Sequence, residues 1–361
     1  MRRRISSRKW NICAEPYSRD DPLCKDALYI YNNFMIAMRL PSARALTGFA
    51  LLAGTAGLIF GLAFIQALSY PLVFPFLVGL FVAGLVAGLI QEGIGLASAL
   101  ADFKSYCGQD AVDFIAVFSG TLATFYLNRK LGIGAVLASS LVGVLGALVF
   151  KKQATAIFCG SFAGMSCTVT FSTLICIGLA GVLSGIIFLL GKDLFKGVGG
   201  KLGTIAFAGT LGASYLRGLE LLSLPMPDWE HAGMILFYSA AGVVATYALN
   251  HRFGHGPVLA SAFIGILAGV LLPGIHGAEL GSTLAIMVFC ASFAGMSDKV
   301  RLPNEGAACI AGLLCGLVFI HSTPYLGGAG GKLGTIAFGA VLAYSGVDQL
   351  MGRLQVSLVR L

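Results

Sequence analysis

Long apolar runs, separated by short polar stretches, fill the chain between residues 45 and 348. Within a run the apolar residues are continuous and do not alternate with polar ones, as they would in the strands of a membrane barrel. Most runs reach about 17 to 25 residues, the length of a helix that crosses a bilayer. The pattern therefore predicts an all-α polytopic membrane protein of about 12 apolar segments, some of them short or re-entrant. The runs are 45–68, 73–98, 112–128, 133–150, 154–168, 169–190, 202–216, 232–250, 256–273, 282–297, 304–321 and 332–348.

The amino-acid composition excludes a soluble domain. Hydrophobic residues make up 57% of the chain and charged residues 11%, and the mean hydropathy is +0.87, whereas soluble domains have about 25% charged residues. The net charge of +8 raises nucleic-acid binding as an alternative, but many of the basic residues lie within the first 45 positions. Basic segments beside a membrane helix stay in the cytoplasm. We therefore expect the lipid bilayer, and no nucleic acid, as a partner.

Polar stretches mark the two ends and the middle of the chain. The expected divisions are a basic cytoplasmic tail at 1–44, two N-terminal transmembrane helices at 45–100, a polar linker at 217–231 and a C-terminal tail at 349–361. Residues 1–34 are more polar than the rest, and Met35 or Met38 precedes a basic and then apolar segment that suits a natural start. We expect residues 1–34 to be a tail or an over-extended gene start.

Four sequence blocks occur twice, in the same order. The two most complete pairs are GGKLGTIAF at Gly199–Phe207 and Gly330–Phe338, and FCGSFAGMS at Phe158–Ser166 with FCASFAGMS at Phe289–Ser297. Both pairs are 131 residues apart (330 − 199), whereas the block around Asn128 recurs 122 residues later (250 − 128), which indicates an insertion. Ordered matches with one change of length indicate a duplication. The predicted units are membrane repeat 1, residues 111–216, and membrane repeat 2, residues 232–348.

The number of membrane crossings decides whether the two repeats point the same way. Each repeat has five apolar segments, and five crossings would turn the second repeat upside down. With a cytoplasmic N-terminus, this arrangement places Lys151–Lys152, Lys192–Lys196 and Lys299–Arg301 inside, as the positive-inside rule requires, and Arg129–Lys130 outside. We therefore predict inverted repeats in a multi-pass cell-membrane protein, as in a bacterial inner membrane, with both termini cytoplasmic. Many secondary transporters have this architecture.

The block GGKLGTIAF combines glycines, a lysine and the start of an apolar helix. Glycine-rich backbone before a helix can direct several N–H groups at one point, where the helix N-terminus and the lysine add positive charge. This pattern predicts a cradle for an anion or a carboxylate. Its candidate residues are Gly199, Gly200, Lys201 and Thr204 in the first copy and Gly330, Gly331, Lys332 and Thr335 in the second. The alternative is that each lysine extends to the membrane surface from a helix end.

The block SFAGMS ends a short apolar segment with small polar residues. Glycine tolerates unwound backbone, and the exposed carbonyl groups, together with serine hydroxyls, can ligate a cation or bind a solute. The candidate residues are Ser161, Gly164 and Ser166 in the first copy and Ser292, Gly295 and Ser297 in the second. The alternative is that glycine and serine only let the helices pack closely.

The remaining chemistry-bearing residues do not form a recognisable catalytic or metal-binding pattern. The chain has no CxxC pair, and six of its cysteines lie within apolar runs, where they behave as small hydrophobic residues: Cys159, Cys167, Cys176, Cys290, Cys309 and Cys315. Glu92 falls near the end of the second run and is either an interfacial carboxylate or an intramembrane functional group. We expect no metal, no cofactor and no enzymatic activity.

Together these patterns predict a membrane transporter or channel for a small solute or ion. An anionic or carboxylate-bearing solute is favoured because of the paired lysines, and its site is expected between the two repeats. The alternative is a non-transporting membrane subunit or scaffold in which the repeated motifs only pack helices. A homo-oligomer is compatible with either function.

Overall fold

A computed structural model of the chain describes residues 41–99 and 108–359, with side chains for residues 43–96 and 108–352. Within these ranges the regular secondary structure is helical, apart from one isolated antiparallel bridge between Leu222 and Gly327. The helices are α1 Pro41–Ala67, α2 Val73–Ala99, α3 Gly108–Leu131, α4 Ala135–Val149, α5 Ala154–Gly164, α6 Leu174–Gly191, α7 Lys201–Arg217, α8 Ala232–His251, α9 Pro257–His276, α10 Ala278–Gly295, α11 Glu305–Ser322 and α12 Lys332–Val359. A 3₁₀ turn, Trp229–His231, precedes α8.

Eight of the described helices are long and apolar enough to cross a membrane: α1, α2, α3, α6, α8, α9, α10 and α11. This confirms the predicted class, a multi-pass α-helical membrane protein. Each of the twelve apolar runs contains one helix, but four helices are not among the eight. Two of them, α4 and α5, are apolar but shorter, and the other two, α7 and α12, each begin at a lysine.

The helical boundaries extend beyond the apolar runs at both ends of the described chain. The first helix begins at Pro41, within the expected tail 1–44, and α12 continues to Val359, within the expected tail 349–361. The helix can continue there because residues 349–359 contain no proline and are mostly good helix formers. Residues 1–40, 100–107 and 360–361, and with them the expectation for 1–34, lie outside the described part of the chain.

Helices at matching places in the two sequence copies pack in matching pairs. In the first copy α3 packs on α5 and α6, and α6 packs on α7; in the second, α8 packs on α10 and α11, and α11 packs on α12. The two copies meet where α4 packs on α9 and α7 packs on α12. The N-terminal helices join this body through α2 on α12 and α1 on α11. The start of α7 and the start of α12 therefore lie where the two sequence copies meet.

Small residues set the distance between the packed helices. A Cβ atom built on Gly164 of α5 would lie 2.7 Å from the Cβ of Thr124 in α3, and one on Gly295 of α10 would lie 2.7 Å from that of Thr246 in α8. Such contacts leave no room for a larger side chain. The glycine of SFAGMS therefore allows close helix packing in both copies, as small residues usually do where helices approach closely in lipid.

Candidate functional site

The first turns of α7 and α12 cross in antiparallel directions and nearly touch. A Cβ on Gly203 would lie 2.5 Å from the Cα of Gly334, and one on Gly334 would lie 2.5 Å from the Cα of Gly203. Gly200, which immediately precedes α7, lies against the backbone of Phe338, four residues beyond Gly334 in α12. Gly200 and Gly331 also have φ angles of 80° and 90°, which favour glycine. The repeated glycines are therefore required by close approach and by backbone conformation.

Each lysine motif forms hydrogen bonds with the SFAGMS motif of the other sequence copy. The N–H of Gly199 donates to Oγ of Ser297 at 2.9 Å, and the N–H of Gly330 donates to Oγ of Ser166 at 3.0 Å. Backbone bonds join the same segments: Asp298 N–H to Gly197 O at 2.9 Å, and Cys167 N–H to Gly328 O at 2.8 Å. We call these places the Ser297 junction (Gly197–Lys201 with Ser297 and Asp298) and the Ser166 junction (Gly328–Lys332 with Ser166 and Cys167).

Both lysine side chains bind carbonyl groups at the end of the preceding helix. Lys201 Nζ donates to the carbonyls of Lys192 and Leu194, each at 2.9 Å, beyond the end of α6. Lys332 Nζ donates to the carbonyls of Ser322 and Tyr325, each at 2.6 Å, and more weakly to Thr323 at 3.4 Å, at the end of α11. Carbonyls at a helix C-terminus lack intrahelical donors and carry partial negative charge, so an ammonium group is a suitable partner. Each lysine thus fastens the start of one helix to the end of the previous one.

The hydroxyl groups of the predicted site are buried and bonded within the protein. Thr204 donates to the carbonyl of Gly200 at 3.3 Å, and Thr335 donates to that of Gly331 at 3.5 Å. These bonds follow the i to i−4 pattern of threonine in a helix. The hydroxyl of Ser161 likewise donates to Phe158 O at 2.8 Å and that of Ser292 to Phe289 O at 2.7 Å.

Four phenylalanine rings fill the space between α5 and α10. The centroids of Phe158 and Phe162 are 4.4 Å apart, those of Phe162 and Phe293 are 4.5 Å apart, and those of Phe289 and Phe293 are 4.6 Å apart. All four side chains are buried. We call this group the phenylalanine cluster. It forms a buried apolar contact between α5 of the first sequence copy and α10 of the second.

A cavity of about 1160 Å³ lies beside the Ser166 junction. Its wall includes Gly330, Gly331 and Lys332 of the second lysine motif, and Phe162 and Phe293 of the phenylalanine cluster. The linker lines another part of the wall with Leu224, Pro225, Met226, Pro227, Asp228 and His231. The corresponding residues of the first motif, Gly199, Gly200 and Lys201, lie at the Ser297 junction and do not line this cavity.

The Ser297 junction carries charges that the Ser166 junction lacks. Arg301 donates from Nε and Nη2 to the carbonyl of Lys196, both at 3.1 Å, and its Nη1 pairs with the carboxylate of Glu92. The offset of 131 residues places Thr170 opposite Arg301 and Cys167 opposite Asp298. The cavity therefore lies at the junction where the neutral Cys167 and Thr170 take the places of Asp298 and Arg301. Glu92 is thus partly buried against an arginine from the segment that connects α10 and α11.

Sequence reasoning missed two groups that the structure brings into prominence. The first is Arg301, which contacts parts of the chain more than one hundred residues away. The second is His321, which lies in the apolar run 304–321 and is fully buried at the end of α11. His321 could have been noticed in the sequence, because an ionisable residue within an apolar run indicates a functional group. No comparable local signal exists for the pairing of Arg301.

Comparison of the chain with protein-family models, with curated proteins and with solved structures finds no match.

Proposed function

We propose that the chain is a membrane transporter or channel for a small solute that carries an anionic or carboxylate group. The observation that carries this proposal is the cavity, which is bounded by both sequence copies and has Lys332 and the start of α12 in its wall. Phe162 and Phe293 of the phenylalanine cluster form part of its wall. A solute that entered the cavity would reach these rings, and its onward passage would need them to move.

The charges of the cavity wall support an anionic solute. Carbonyl groups are dipoles without net charge, so the bonds of Lys332 hold its ammonium group in place without neutralising it. The N-terminus of α12 adds partial positive charge at the same place. The carboxylates that also line the wall, Asp228 and Glu279, are exposed to solvent. Water therefore screens their charges more effectively than that of the half-buried lysine.

The contacts between the sequence copies support inverted repeats. The antiparallel crossing of α7 and α12 and the exchanged hydrogen bonds at the two junctions are what a two-fold axis in the membrane plane would produce. Helices that end or begin near that axis, such as α5, α7 and α12, resemble the interrupted helices that hold substrates in secondary transporters. In this proposal the two junctions open in turn, one on each side of the phenylalanine cluster.

A second candidate is a non-transporting membrane subunit or scaffold. It is favoured by the fact that the ammonium and most hydroxyl groups of the repeated motifs have partners within the protein. Together with the glycine contacts, these bonds hold helices together and need no ligand. The two candidates differ in what Lys332 does beyond this structural role, because Lys201 shares the role but does not line the cavity.

The experiment is a flux assay in liposomes with a panel of carboxylates, inorganic anions, cations and neutral solutes. We expect the native chain to carry at least one carboxylate faster than protein-free liposomes do. Lys332→Met should lower that flux about tenfold, since loss of one charge-assisted contact costs about 1.5 to 3 kcal/mol. The matched control is Lys201→Met, which loses equivalent carbonyl bonds and should lower the melting temperature similarly while it retains most of the flux.

Each other outcome has a definite meaning. Equal flux through the native chain, Lys332→Met and Lys201→Met would remove the anion-binding role of the lysine. If no solute of the panel crosses faster than through protein-free liposomes, the scaffold is the better function. If only a cation or a neutral solute crosses, the chain is still a transporter or channel, but its substrate is not an anion.

A further inference from the structure

His321 is enclosed by aromatic rings at the end of α11. Its side chain is 0% exposed. The centroid of its imidazole lies 5.9 Å from each of the rings of Tyr70, Phe74 and Trp229. Tyr70 comes from the connection between α1 and α2, Phe74 from the first turn of α2, and Trp229 from the linker. Trp229 is 39% exposed, so it forms the outer cover of this aromatic enclosure.

The hydrogen bonding of His321 leaves one ring nitrogen available for a proton. Nδ1 lies 2.9 Å from the carbonyl oxygen of Leu317, and because a carbonyl can only accept, Nδ1 must carry a hydrogen. In the neutral imidazole Nε2 therefore has the lone pair. Nε2 is buried and has no hydrogen-bond partner among the described residues. A proton on Nε2 would convert the ring to a cation.

The position of His321 connects it to Lys332. The carbonyl of the next residue, Ser322, accepts a hydrogen bond from Lys332, which lines the cavity. Phe319 and Thr323 also line the cavity, and because they are two residues to either side of His321, the imidazole lies on the opposite face of the helix. The same offset of 131 residues places Leu190 opposite His321 in the first sequence copy, so the histidine has no counterpart near the Ser297 junction.

Besides its burial, charged groups on the neighbouring elements act on the protonation of His321. Lys332 of α12 adds a positive charge that opposes protonation. The linker contributes Asp228, Glu230 and His231 beside Trp229, and its two carboxylates are exposed and screened by water. The uncharged Gln66 is in the last turn of α1, Tyr70 is in the connection to α2, and Tyr325 follows α11. A carboxylate bound at Lys332 would offset the opposing charge and so favour the protonated histidine.

We propose that His321 is a proton-binding site coupled to Lys332, so that a proton and a carboxylate solute bind together. Nε2 takes its proton from water when the solute arrives and returns it when the solute leaves. Coupling of this kind is reciprocal: the solute raises proton affinity as much as the proton raises solute affinity. The identity of the second ligand rests on the proposed function, whereas protonation of His321 can be measured without any flux.

The test uses Trp229 as a reporter of the histidine. The chain has 2 tryptophans, so Trp10→Phe leaves Trp229 as the remaining source of indole fluorescence. An imidazolium in contact with indole quenches its emission, and we expect emission to fall along a single titration curve as pH is lowered. The curve should be absent in His321→Leu, which introduces the residue found at position 190, and in His321→Gln, which keeps a donor for Leu317. It should persist in His231→Gln.

Acetate, the simplest carboxylate, tests the coupling, with acetamide as the neutral control. We expect acetate to move the midpoint upward by about one pH unit, a tenfold change in proton affinity, and acetamide to leave it unchanged. The acetate shift should be lost in Lys332→Met. A titration that persists in both His321 variants overturns the proton site, and a native midpoint that acetate does not move overturns the coupling. A normal titration in a chain that carries no solute would disprove the transporter and retain the proton site.

Discussion

Replacement of Gly334 by alanine is expected to force α7 and α12 apart and to lower the free energy of unfolding by about 3 kcal/mol, the upper part of the usual range for overpacking. The new Cβ would lie 2.5 Å from the Cα of Gly203 and 3.0 Å from the backbone of Gly200. These neighbours are backbone atoms, which cannot move aside as a side chain can. The loss should appear as a melting temperature lower by about 5 °C or more in detergent.

Gly203→Ala provides an internal check, because its new Cβ would lie 2.5 Å from the Cα of Gly334, at the same contact between α7 and α12. It should lower the melting temperature by a similar amount. The control is Gly54→Ala in α1, where a Cβ has no atom within 4 Å. That variant should be as stable as the native chain or slightly more so, since alanine favours a helix by about 1 kcal/mol over glycine. Equal stability of all three variants would show that α7 and α12 do not cross in this way.

The second large effect is expected for Arg301→Gln, which should destabilise the protein by about 2 kcal/mol. The side chains of Arg301 and Glu92 are only 20% and 19% exposed, so the substitution leaves a carboxylate without its partner in a poorly hydrated place. It also removes both guanidinium bonds to the carbonyl of Lys196. Arg301 joins α2, the first sequence copy and the second, so its loss should loosen all three. Thermal unfolding in detergent at low and high salt measures the effect.

The matched control for Arg301 is Arg252→Gln. Arg252 pairs with Glu305 at 2.8 Å, but these side chains are 67% and 38% exposed. An exposed pair contributes about 0.2 to 1 kcal/mol and is weakened by salt. We therefore expect a small, salt-dependent change for Arg252→Gln and a larger, less salt-dependent one for Arg301→Gln. Similar losses in the two variants would contradict the structural role of the Ser297 junction.

The two effects concern the features on which the proposed function depends. The glycine crossing holds the lysine motifs at the centre of the molecule, and the Arg301 contacts hold the Ser297 junction together. At the Ser166 junction, the smaller residues Cys167 and Thr168 border the cavity instead. The two junctions therefore differ in charge although their repeated motifs are nearly identical.

The sequence by itself determined the class of the protein and the places of its helices. Long apolar runs have one stable solution in a bilayer, the helix, because every backbone polar group must find its partner within the segment. The duplicated blocks also identified the residues that meet at the centre, including the glycines of GGKLGTIAF and the serines of SFAGMS. Those inferences depend on local pattern and on comparison of the chain with itself, and neither needs coordinates.

Only the tertiary structure decided which groups those residues contact. It joined Gly199 to Ser297 and Gly330 to Ser166, bound each lysine to the end of the preceding helix, and placed Lys332, but not Lys201, in the cavity wall. It also paired Arg301 with Glu92, 209 residues away. Contacts of this kind depend on how helices pack, and two copies with nearly identical motifs can differ because their neighbours differ. A continuous apolar run indicates that a helix is buried in the membrane or in the protein. Which helices it contacts depends on the shape and charge of all the packed helices together.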